Sequence, residues 1–355
     1  MPAISVDTFF ACSLMVLLVL SAMASTSKLL YPHINNEVND NIAERYGEIS
    51  KYLLLNDGMP SNWGQNCQTI PETFGLAKAA SCDSYELDID KVSRINSENL
   101  YAMSYAQIFT ALKMPDVSFR IEIKPIFEVV INLTATFKAA NQTTYQFEIS
   151  TEKHGVPIQA ELKCYVIAEN YLETNYVYAS DGRAYINVTL SNDVKGPALF
   201  VAFAKTVCNS KIVSFGTYTF ALNSGEPKPK RAFLRLSPLN YTLTASSIYS
   251  GINLSKTYAL TINYYSNLTQ TVSDNQSVTY SLPHFLDPSP TLIVVTGWNS
   301  TTFFTEWTTY PQVPLQTGAN FADSITLSNV FTNTYTVTIN SALYECSVWL
   351  GGPRE

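Results

Sequence analysis

The feature that most constrains this chain is an uncharged run near its start. Between Asp7 and Lys28 lie twenty residues without a formal charge, and apolar side chains are concentrated from Phe9 to Leu20. An α-helix needs about 20 mostly apolar residues to cross the hydrocarbon core of a bilayer. The run therefore predicts a membrane-inserted helix that carries a large domain outside the cell.

Three interpretations of this run compete. A secretory signal peptide is one, since Ala22-Met23-Ala24 offers a small-residue cleavage site, although no Lys or Arg precedes the run and apolar residues continue at Leu29–Tyr31. A plain single-pass anchor is the second interpretation. The third is the signal of a type IV pilin.

The third interpretation rests on the first residues, Ala3-Ile4-Ser5-Val6-Asp7-Thr8-Phe9-Phe10. They resemble the class III signal of archaeal type IV pilin-like proteins. The resemblance implies that a leader peptidase cuts between Pro2 and Ala3, which makes Asp7 the fifth mature residue. It also implies that Asp7 pairs with the N-terminal amine of a neighbouring subunit, since a carboxylate at the edge of hydrocarbon is costly and usually functional. The alternative for Asp7 is a charge favoured by the helix macrodipole.

A second apolar pattern follows the run. Its apolar residues recur three or four positions apart, at Ile34, Val38, Ile42, Tyr46, Ile49 and Leu53. This spacing predicts an amphipathic helix that ends before Gly58 and Pro60, either continuous with the first helix or separated from it at Pro32.

Residues 61–125 carry an ordered series of short motifs. The series is Trp63-Gly64, Phe74-Gly75-Leu76-Ala77, Leu87-Asp88 with Lys91-Val92, and an alternating strand from Val117 to Ile123. It resembles the small head of archaeal pilin-like proteins, and the alternative is that these residues only close turns and a core. Ser104 and Gln107 predict a capping box at the start of a short helix.

Two long blocks beyond residue 125 have β-strand patterning. In the first, Asp181-Gly182 predicts a hairpin turn, after which Ile186, Val188 and Leu190 face inward. A proline-punctuated connector at 226–230 precedes the second block, where the continuous apolar run Leu292–Val295 predicts a strand buried on both faces. Strands at this spacing predict sandwiches of immunoglobulin type.

The expected class is therefore α+β. Residues 1–30 are expected to form the leader and the transmembrane or filament-core helix. Residues 31–125 are expected to form the amphipathic continuation and a small α+β head. Two mainly antiparallel, immunoglobulin-like β-sandwiches are expected at residues 126–225 and 226–355.

Eight N-x-[ST] sequons occur, all after residue 130. Their asparagines are Asn132, Asn141, Asn187, Asn240, Asn253, Asn267, Asn275 and Asn299. Their clustering predicts a glycosylated exterior, although such sequons also arise by chance in a chain rich in Asn and Thr.

Six cysteines are present. Export makes disulfides plausible, and a Cys67–Cys82 bridge would close about fifteen residues and stabilise the fold by roughly 3 kcal/mol in the chain-entropy model. Cys164, Cys208 and Cys346 leave an odd thiol, and the sequence cannot give their pairing. We favour Cys164–Cys208, because both lie in strand-like segments of one block. Cys12 is expected to be a packed thiol.

Composition excludes some functions. Net charge is −7 and only 14% of residues are charged, so nucleic acid is not an expected partner. The sequence contains no metal-ligand spacing, nucleophile motif or phosphate-binding glycine loop, so we expect no enzyme activity, no metal and no cofactor. The acidic group of Asp83, Glu86, Asp88 and Asp90 is either a solvated turn or a weak calcium site.

Aromatic residues offer one further possibility. The 22 tyrosines, with Trp298, Trp307 and Trp349, either pack in the sandwiches or form a sugar- or partner-binding face.

Two functions follow from these observations. The first is a pilin-like subunit, minor or at the tip of a cell-surface filament, which meets copies of itself or other pilin-like subunits through its N-terminal helix and displays glycan-bearing sandwiches for adhesion or spacing. The second is a single-pass membrane-anchored surface binding or receptor protein that does not polymerise. Both place the protein at the cell surface.

Overall fold

The computed structural model describes residues 6–274, 276–285, 287–321 and 327–353. The chain divides into two compact units, one ending at Lys51 and the other beginning at Tyr52. The first unit consists of the greater part of one helix. The second unit contains every strand named below.

Helices and strands are numbered here in chain order. The helices are α1 (Val6–Leu55), α2 (Ile89–Ile95) and α3 (Tyr105–Leu112). The strands are β1 (Glu86–Leu87), β2 (Ser118–Pro125), β3 (Glu128–Lys138), β4 (Gln142–Lys153), β5 (Val156–Pro157), β6 (Ala160–Ala168), β7 (Tyr171–Ala179), β8 (Arg183–Ser191), β9 (Ala198–Thr206), β10 (Val213–Phe220), β11 (Leu234–Leu239), β12 (Thr242–Ser247), β13 (Ile252–Leu260), β14 (Tyr265–Asn267), β15 (Gln270–Ser273), β16 (Ser277–Ser281), β17 (Thr291–Asn299), β18 (Thr302–Tyr310), β19 (Leu315–Gly318), β20 (Leu327–Ile339) and β21 (Ala342–Pro353).

The predicted fold class, α+β with a long apolar helix, is wrong. The protein is mostly β, with about half of the residues that have a described conformation in strands. Over the residues with a described conformation, no helix is both long enough and apolar enough to cross a membrane. α1 passes through Pro32 and ends before Gly58 and Pro60.

The block at residues 61–125 does not build a sheet from its own strands alone. β2 pairs with β21 and β19, and β1 runs parallel to β20, in a head sheet ordered β1-β20-β21-β2-β19. The inward-facing Phe119 of β2 lies opposite Leu350, so residues more than 200 positions apart share one core. Such pairing depends on closing a long loop, which no local pattern encodes.

The first β block forms a two-layer sandwich. Its outer sheet, outer sheet 1, has the order β3-β4-β8, with β5 added to β4. Its inner sheet, inner sheet 1, has the order β10-β9-β6-β7. Phe147 and Phe200 stack between the two layers with ring centroids 4.5 Å apart. Val188 and Leu190 are buried in this core as predicted, and Ile186, the third residue of the predicted inward face, is partly buried against it.

The second β block forms a matching sandwich. Its outer sheet, outer sheet 2, has the order β11-β12-β16-β15, and its inner sheet, inner sheet 2, has the order β14-β13-β17-β18. Phe233 and Phe304 stack in this core at 4.7 Å.

The two inner sheets pack face to face, so the sandwiches form one four-layer stack. Leu292 and Val294 of β17 join a core with Leu199 and Val201 of β9. Ile293 and Val295, whose side chains point the other way, belong to the second sandwich's own core. The prediction that Leu292–Val295 is buried on both faces is therefore confirmed, for the reason that continuous apolar strands need cover on both sides.

The predicted hairpin at Asp181-Gly182 is wrong. β7 before the turn pairs with β6 in inner sheet 1, whereas β8 after it pairs with β4 in outer sheet 1. Gly182 has a φ of +76°, and a Cβ there would lie 2.5 Å from the Pro157 side chain. The turn therefore carries the chain from one layer to the other.

Candidate functional site

The three head motifs found in the sequence meet around Trp63. This side chain is fully buried, and its Nε1 donates a hydrogen bond to the carbonyl O of Gly75 at 3.1 Å. The Phe74 ring lies 5.7 Å from the Trp63 ring. Helix α2, which follows Leu87-Asp88, brings Lys91 Nζ to 6.0 Å and Arg94 Cζ to 5.6 Å from the centroid of the Trp63 ring.

The glycines of these motifs allow backbone segments to touch. A Cβ at Gly75 would lie 2.2 Å from the carbonyl O of Asn56, and one at Gly64 would lie 2.6 Å from the amide N of Lys91. Only glycine accommodates such close approach. Trp63-Gly64 and Phe74-Gly75 therefore act as packing motifs.

Asp88 and Lys91 fix the start of α2. The Asp88 side chain accepts hydrogen bonds from the amides of Asp90 and Lys91 at 2.9 and 3.0 Å, which makes it the N-cap. The Lys91 ammonium donates to the carbonyl oxygens of Asp57 at 2.8 Å and Ala77 at 2.7 Å. Burial lowers the pKa of Lys91, and the nearby Asp88 carboxylate opposes that shift.

Arg94 holds the loop that follows Trp63. Its guanidinium donates to the carbonyl oxygens of Asn66, Cys67 and Thr69 at 2.8, 3.1 and 2.9 Å, and also to that of Trp63. The loop contains few apolar residues, so these hydrogen bonds, and not apolar packing, hold it in position. Burial lowers the pKa of Arg94 from its ordinary value.

Asp90 links α2 to the second sandwich. One carboxylate oxygen, Oδ1, accepts from Tyr310 Oη and from the amide N of Asn240, both at 2.7 Å. Asp90 is 3% exposed, and burial raises its pKa to about 6, although both hydrogen bonds favour the charged form. Burial also raises the pKa of Tyr310, and the Asp90 charge adds to that rise.

Three buried amides complete this contact. Asn96 Nδ2 donates to the carbonyl O of Gln312 at 2.8 Å, and Asn99 Nδ2 donates to Gln312 Oε1 at 2.7 Å. Asn99 Nδ2 also bonds the carbonyl O of Pro238 at 3.0 Å. Sequence reasoning missed Asn96, Asn99, Gln312 and Tyr310, because each lies in a polar stretch that reads as loop.

We call this set of buried groups, Asp90, Asn96, Asn99, Tyr310 and Gln312, the α2 junction. Its side-chain donors bond carbonyl, carboxylate or hydroxyl oxygens, and the groups are shielded from solvent. Buried polar networks of this kind fix one geometry between packed elements. The hydrogen bonds of the α2 junction therefore hold α2 against the second sandwich.

The acidic group from the sequence is dispersed by the fold. Glu86 pairs with Lys78 at 2.7 Å and accepts from Ser81, Asp88 caps α2, and Asp90 enters the α2 junction, while Asp83 stays exposed. Among the residues with described positions, no set of three His, Cys, Asp or Glu side chains is arranged to hold a metal ion. The capping box of Ser104 and Gln107 is present as predicted.

Both predicted disulfides are wrong. Cys67, Cys82, Cys164, Cys208 and Cys346 are all free thiols. Cys164 lies in the middle of β6 opposite Ala202, whereas Cys208 lies beyond the end of β9, roughly 20 Å along the strand direction at about 3.3 Å per residue. Bridged cysteines need Cα atoms less than about 7 Å apart.

The sequon asparagines fall mostly on exposed surface. Those with exposed side chains are Asn132, Asn141, Asn187, Asn240, Asn253 and Asn267. Asn299 is half-buried, and Asn275 lies outside the described residues. Asn132 and Asn187 both project from the free face of outer sheet 1.

Of the residues of the predicted leader site, the structure describes only the position of Asp7. Pro2 and Ala3 lie outside the described residues, and Asp7 lies in the first turns of α1. A short apolar segment follows on the same helix. Its large side chains, Leu14, Met15, Val16, Leu17, Leu18, Val19, Leu20 and Met23, are between 53% and 70% exposed.

The chain was compared with protein-family models, curated proteins and solved structures. No protein-family model matches the chain, and no curated protein matches it. A solved structure with some similarity is HBP35 of Porphyromonas gingivalis, at 16% sequence identity and a TM-score of 0.20. The match covers 52% of this chain and 63% of that chain, and similarity this low carries no argument about fold or function.

Proposed function

We propose that the protein is a non-enzymatic structural subunit of a pilin-like filament at the cell surface. In this proposal the apolar segment of α1, residues 14–23, packs against the same segment of other subunits, and the sandwiches serve adhesion or spacing. The observation that carries the proposal is the exposure of eight large apolar side chains within ten residues. Contiguous exposed apolar surface marks an interaction site.

The energy available from this segment supports assembly. Full burial of one large apolar side chain is worth about 1.5–3 kcal/mol, and these side chains are more than half exposed. Covering all eight would contribute on the order of 10 kcal/mol before the cost of association. That is enough to hold subunits together when each helix meets several neighbours.

The stacked sandwiches suit a load-bearing or spacing role. Their strand orders, β3-β4-β8 with β10-β9-β6-β7 and β11-β12-β16-β15 with β14-β13-β17-β18, support the proposal that each sandwich is of immunoglobulin type, and the two inner sheets pack against each other. In this proposal glycans at exposed sequons such as Asn132 and Asn187 cover outer sheet 1. The proposal also includes cleavage after Pro2, which would leave Ala3 first and allow Asp7 to pair with a neighbouring amine.

Assembly of the full chain tests the proposal. Wild-type protein transferred from detergent to buffer should sediment as large assemblies and show filaments by electron microscopy. Leu17→Glu together with Leu18→Glu should leave the chain monomeric, because buried charges would enter the packed segment. Lys51→Glu, an exposed change on the same helix, is the matched control and should assemble normally.

Two outcomes contradict the proposal. One is a wild-type chain that stays monomeric without detergent, and the other is equal assembly by the double variant and the control. N-terminal sequencing of native protein provides a separate check, since a start at Ala3 supports processing and a start at Ser25 removes the apolar segment.

A further inference from the structure

The first sandwich has an open cleft between two of its edge strands. β3 ends outer sheet 1 and β10 ends inner sheet 1, and within the described residues no strand pairs with the free side of either. The two strands are in contact near Gly216, where a Cβ would lie 2.4 Å from the carbonyl O of Val129. A cleft of about 1020 Å³ opens between them where β3 has a bulge between Leu133 and Ala135. We call it the edge cleft, and its lining includes Leu133, Thr136, Lys138, Tyr145, Tyr218 and Thr219.

One wall of the edge cleft presents the backbone groups of β10. Just beyond β10, the carbonyl O of Leu222 accepts from the amide of Gly196 at 2.8 Å, in the unshifted register of the β9–β10 pair. Residues that face a partner strand alternate with residues that face away from it. Leu222 faces β9, so Ala221 and Thr219 direct their N–H and C=O groups to the free side. A hydrogen bond of 3.2 Å from the Tyr145 hydroxyl to the carbonyl O of Ala221 agrees with this assignment.

β3 supplies the same kind of groups on the opposite wall. The amide of Ala139 donates to the carbonyl O of Gln142 at 2.8 Å, so Ala139 faces β4. Lys138 and Thr136 therefore face the free side. On each wall, donors and acceptors recur at every second residue, roughly 6.7 Å apart. An extended polypeptide has the same repeat and uses it when it adds to an open sheet edge, so these walls select a polypeptide strand as the ligand.

β10 also lacks the usual protection of an edge strand. Edge strands that must stay unpaired commonly carry a charged residue or a proline. The strand Val213–Phe220 contains neither. The other sandwich edge strands of at least 6 residues each contain a charged residue, and examples are Lys138, Glu173, Arg183, Arg235 and Glu306. β10 is therefore the long sandwich edge best suited to accept a further strand.

The side chains of the edge cleft indicate the composition of that strand. Leu133 and Tyr218 pack against the core of the first sandwich but remain partly exposed. Tyr145, which is buried in the same core, also lines the cleft. Apolar residues at every second position of an inserted strand would cover these groups. The lining carries charges of both signs, at Lys138 and Glu226, so it favours a strand without net charge.

We propose that the edge cleft binds an extended, uncharged segment of another protein. The segment pairs with the free side of β10, which lengthens inner sheet 1 by one strand, and its alternate apolar side chains cover Leu133 and Tyr218. This binding goes beyond the proposed filament function, because the edge cleft is lined only by residues of the first sandwich and the connector that follows it.

Binding of a synthetic strand to the full chain tests the proposal. The probe is a fluorescein-labelled heptapeptide of alternating threonine and valine, and its matched form has every amide N-methylated. The chain with Leu17→Glu and Leu18→Glu is used, so that filament assembly cannot contribute to the fluorescence polarisation. The unmodified peptide should bind, and the N-methylated peptide should bind at least tenfold more weakly, because it cannot donate hydrogen bonds to β10.

A substitution in the cleft provides the second measurement. Thr136→Trp places a large side chain in the edge cleft and should weaken peptide binding at least tenfold. The matched control is Thr302→Trp, on the edge strand β18 of the second sandwich, and it should bind the peptide like the parent chain. The thermal unfolding midpoints of both variants should stay within a few degrees of the parent value, because both threonines are exposed.

Any of three results overturns the proposal. They are no binding at millimolar peptide, equal binding of the two peptides, and an equal loss of binding in both tryptophan variants. Sedimentation velocity without peptide adds a fourth, since a dimer that is lost only in Thr136→Trp would assign the edge cleft to a second copy of this chain. Failure of the wild type to form filaments would leave all of these results unchanged, so the two proposals fail separately.

Discussion

Tyr310 donates a 2.7 Å hydrogen bond to Oδ1 of Asp90, across 220 positions of sequence, inside the contact between α2 and the second sandwich. Both residues are buried. This bond joins the head, whose sheet combines β1 and β2 with the distant strands β19, β20 and β21, to the four-layer stack. Single substitutions in the α2 junction should therefore change the free energy of unfolding of the protein.

Removing the Tyr310 hydroxyl should destabilise the protein. Tyr310→Phe keeps the ring but leaves Asp90 with fewer hydrogen bonds in a buried site, so we expect the free energy of unfolding to fall by about 1–3 kcal/mol. Urea denaturation measures the change. Tyr185→Phe, which removes an exposed hydroxyl bonded to Glu148 at 3.0 Å, is the control and should change the value by less than about 0.5 kcal/mol. Similar losses in both variants would refute the role of the buried bond.

Asp90 should make stability depend on pH. Its pKa in the folded protein, about 6, exceeds the ordinary value of 3.8, so the folded state binds the proton more tightly than the unfolded state. The resulting stabilisation is fully present below pH 3.8 and is lost as pH rises through 6. Relative to Asp90→Asn, the wild type should therefore gain about 2–3 kcal/mol between pH 7 and pH 4. A constant difference between the two proteins over this range would show that the pKa of Asp90 is not raised.

Replacing glycine by alanine should have opposite effects on stability at a closely packed position and at an open helical position. In Gly75→Ala the new Cβ would meet the Asn56 carbonyl O at 2.2 Å, so we expect a loss of at least about 2–3 kcal/mol. Gly47→Ala is the matched control, because it lies within α1 and its Cβ would meet no atom within 4 Å. There alanine should stabilise the helix by up to about 1 kcal/mol. Thermal unfolding of both variants measures the contrast, and equal effects would contradict it.

Lys91 should stabilise the protein through its hydrogen bonds to two backbone carbonyl oxygens. Lys91→Met fills similar space but leaves the carbonyl oxygens of Asp57 and Ala77 without their donor, and we expect a loss of about 2–4 kcal/mol. Lys78→Met removes only the partly exposed pair with Glu86 and should cost less than about 1 kcal/mol. Chemical denaturation compares the two. A larger loss in the Lys78 variant would contradict the assignment.

Thiol reactivity should follow burial. In a Cys12→Ser background, the exposed Cys67, Cys82 and Cys208 should react with a chromogenic disulfide reagent in the folded protein. Burial raises the pKa of Cys164 and Cys346 to about 12, so both should react only after unfolding. Five thiols should therefore titrate in denaturant without prior reduction. A count of three in denaturant would indicate a disulfide.

Local patterns predicted local features well. The capping box of Ser104 and Gln107, the inward face of β8 and the doubly buried Leu292–Val295 all follow from residue spacing over a few positions. Hydrophobic periodicity and capping chemistry act within one element, so one sequence is sufficient to identify them.

Long-range relationships were beyond such patterns. The sequence by itself determined that Trp63-Gly64, Phe74-Gly75 and Asp88 with Lys91 were special, and that two blocks would be sandwiches. Only the tertiary structure decided that the motifs close around one indole, that Asp181-Gly182 changes layers, and that Asp90 meets Tyr310. The physical reason is that distant segments pair and become buried according to which surfaces are still uncovered after each element has formed. Several segments could cover the same surface, and only the energy of the whole fold selects among them.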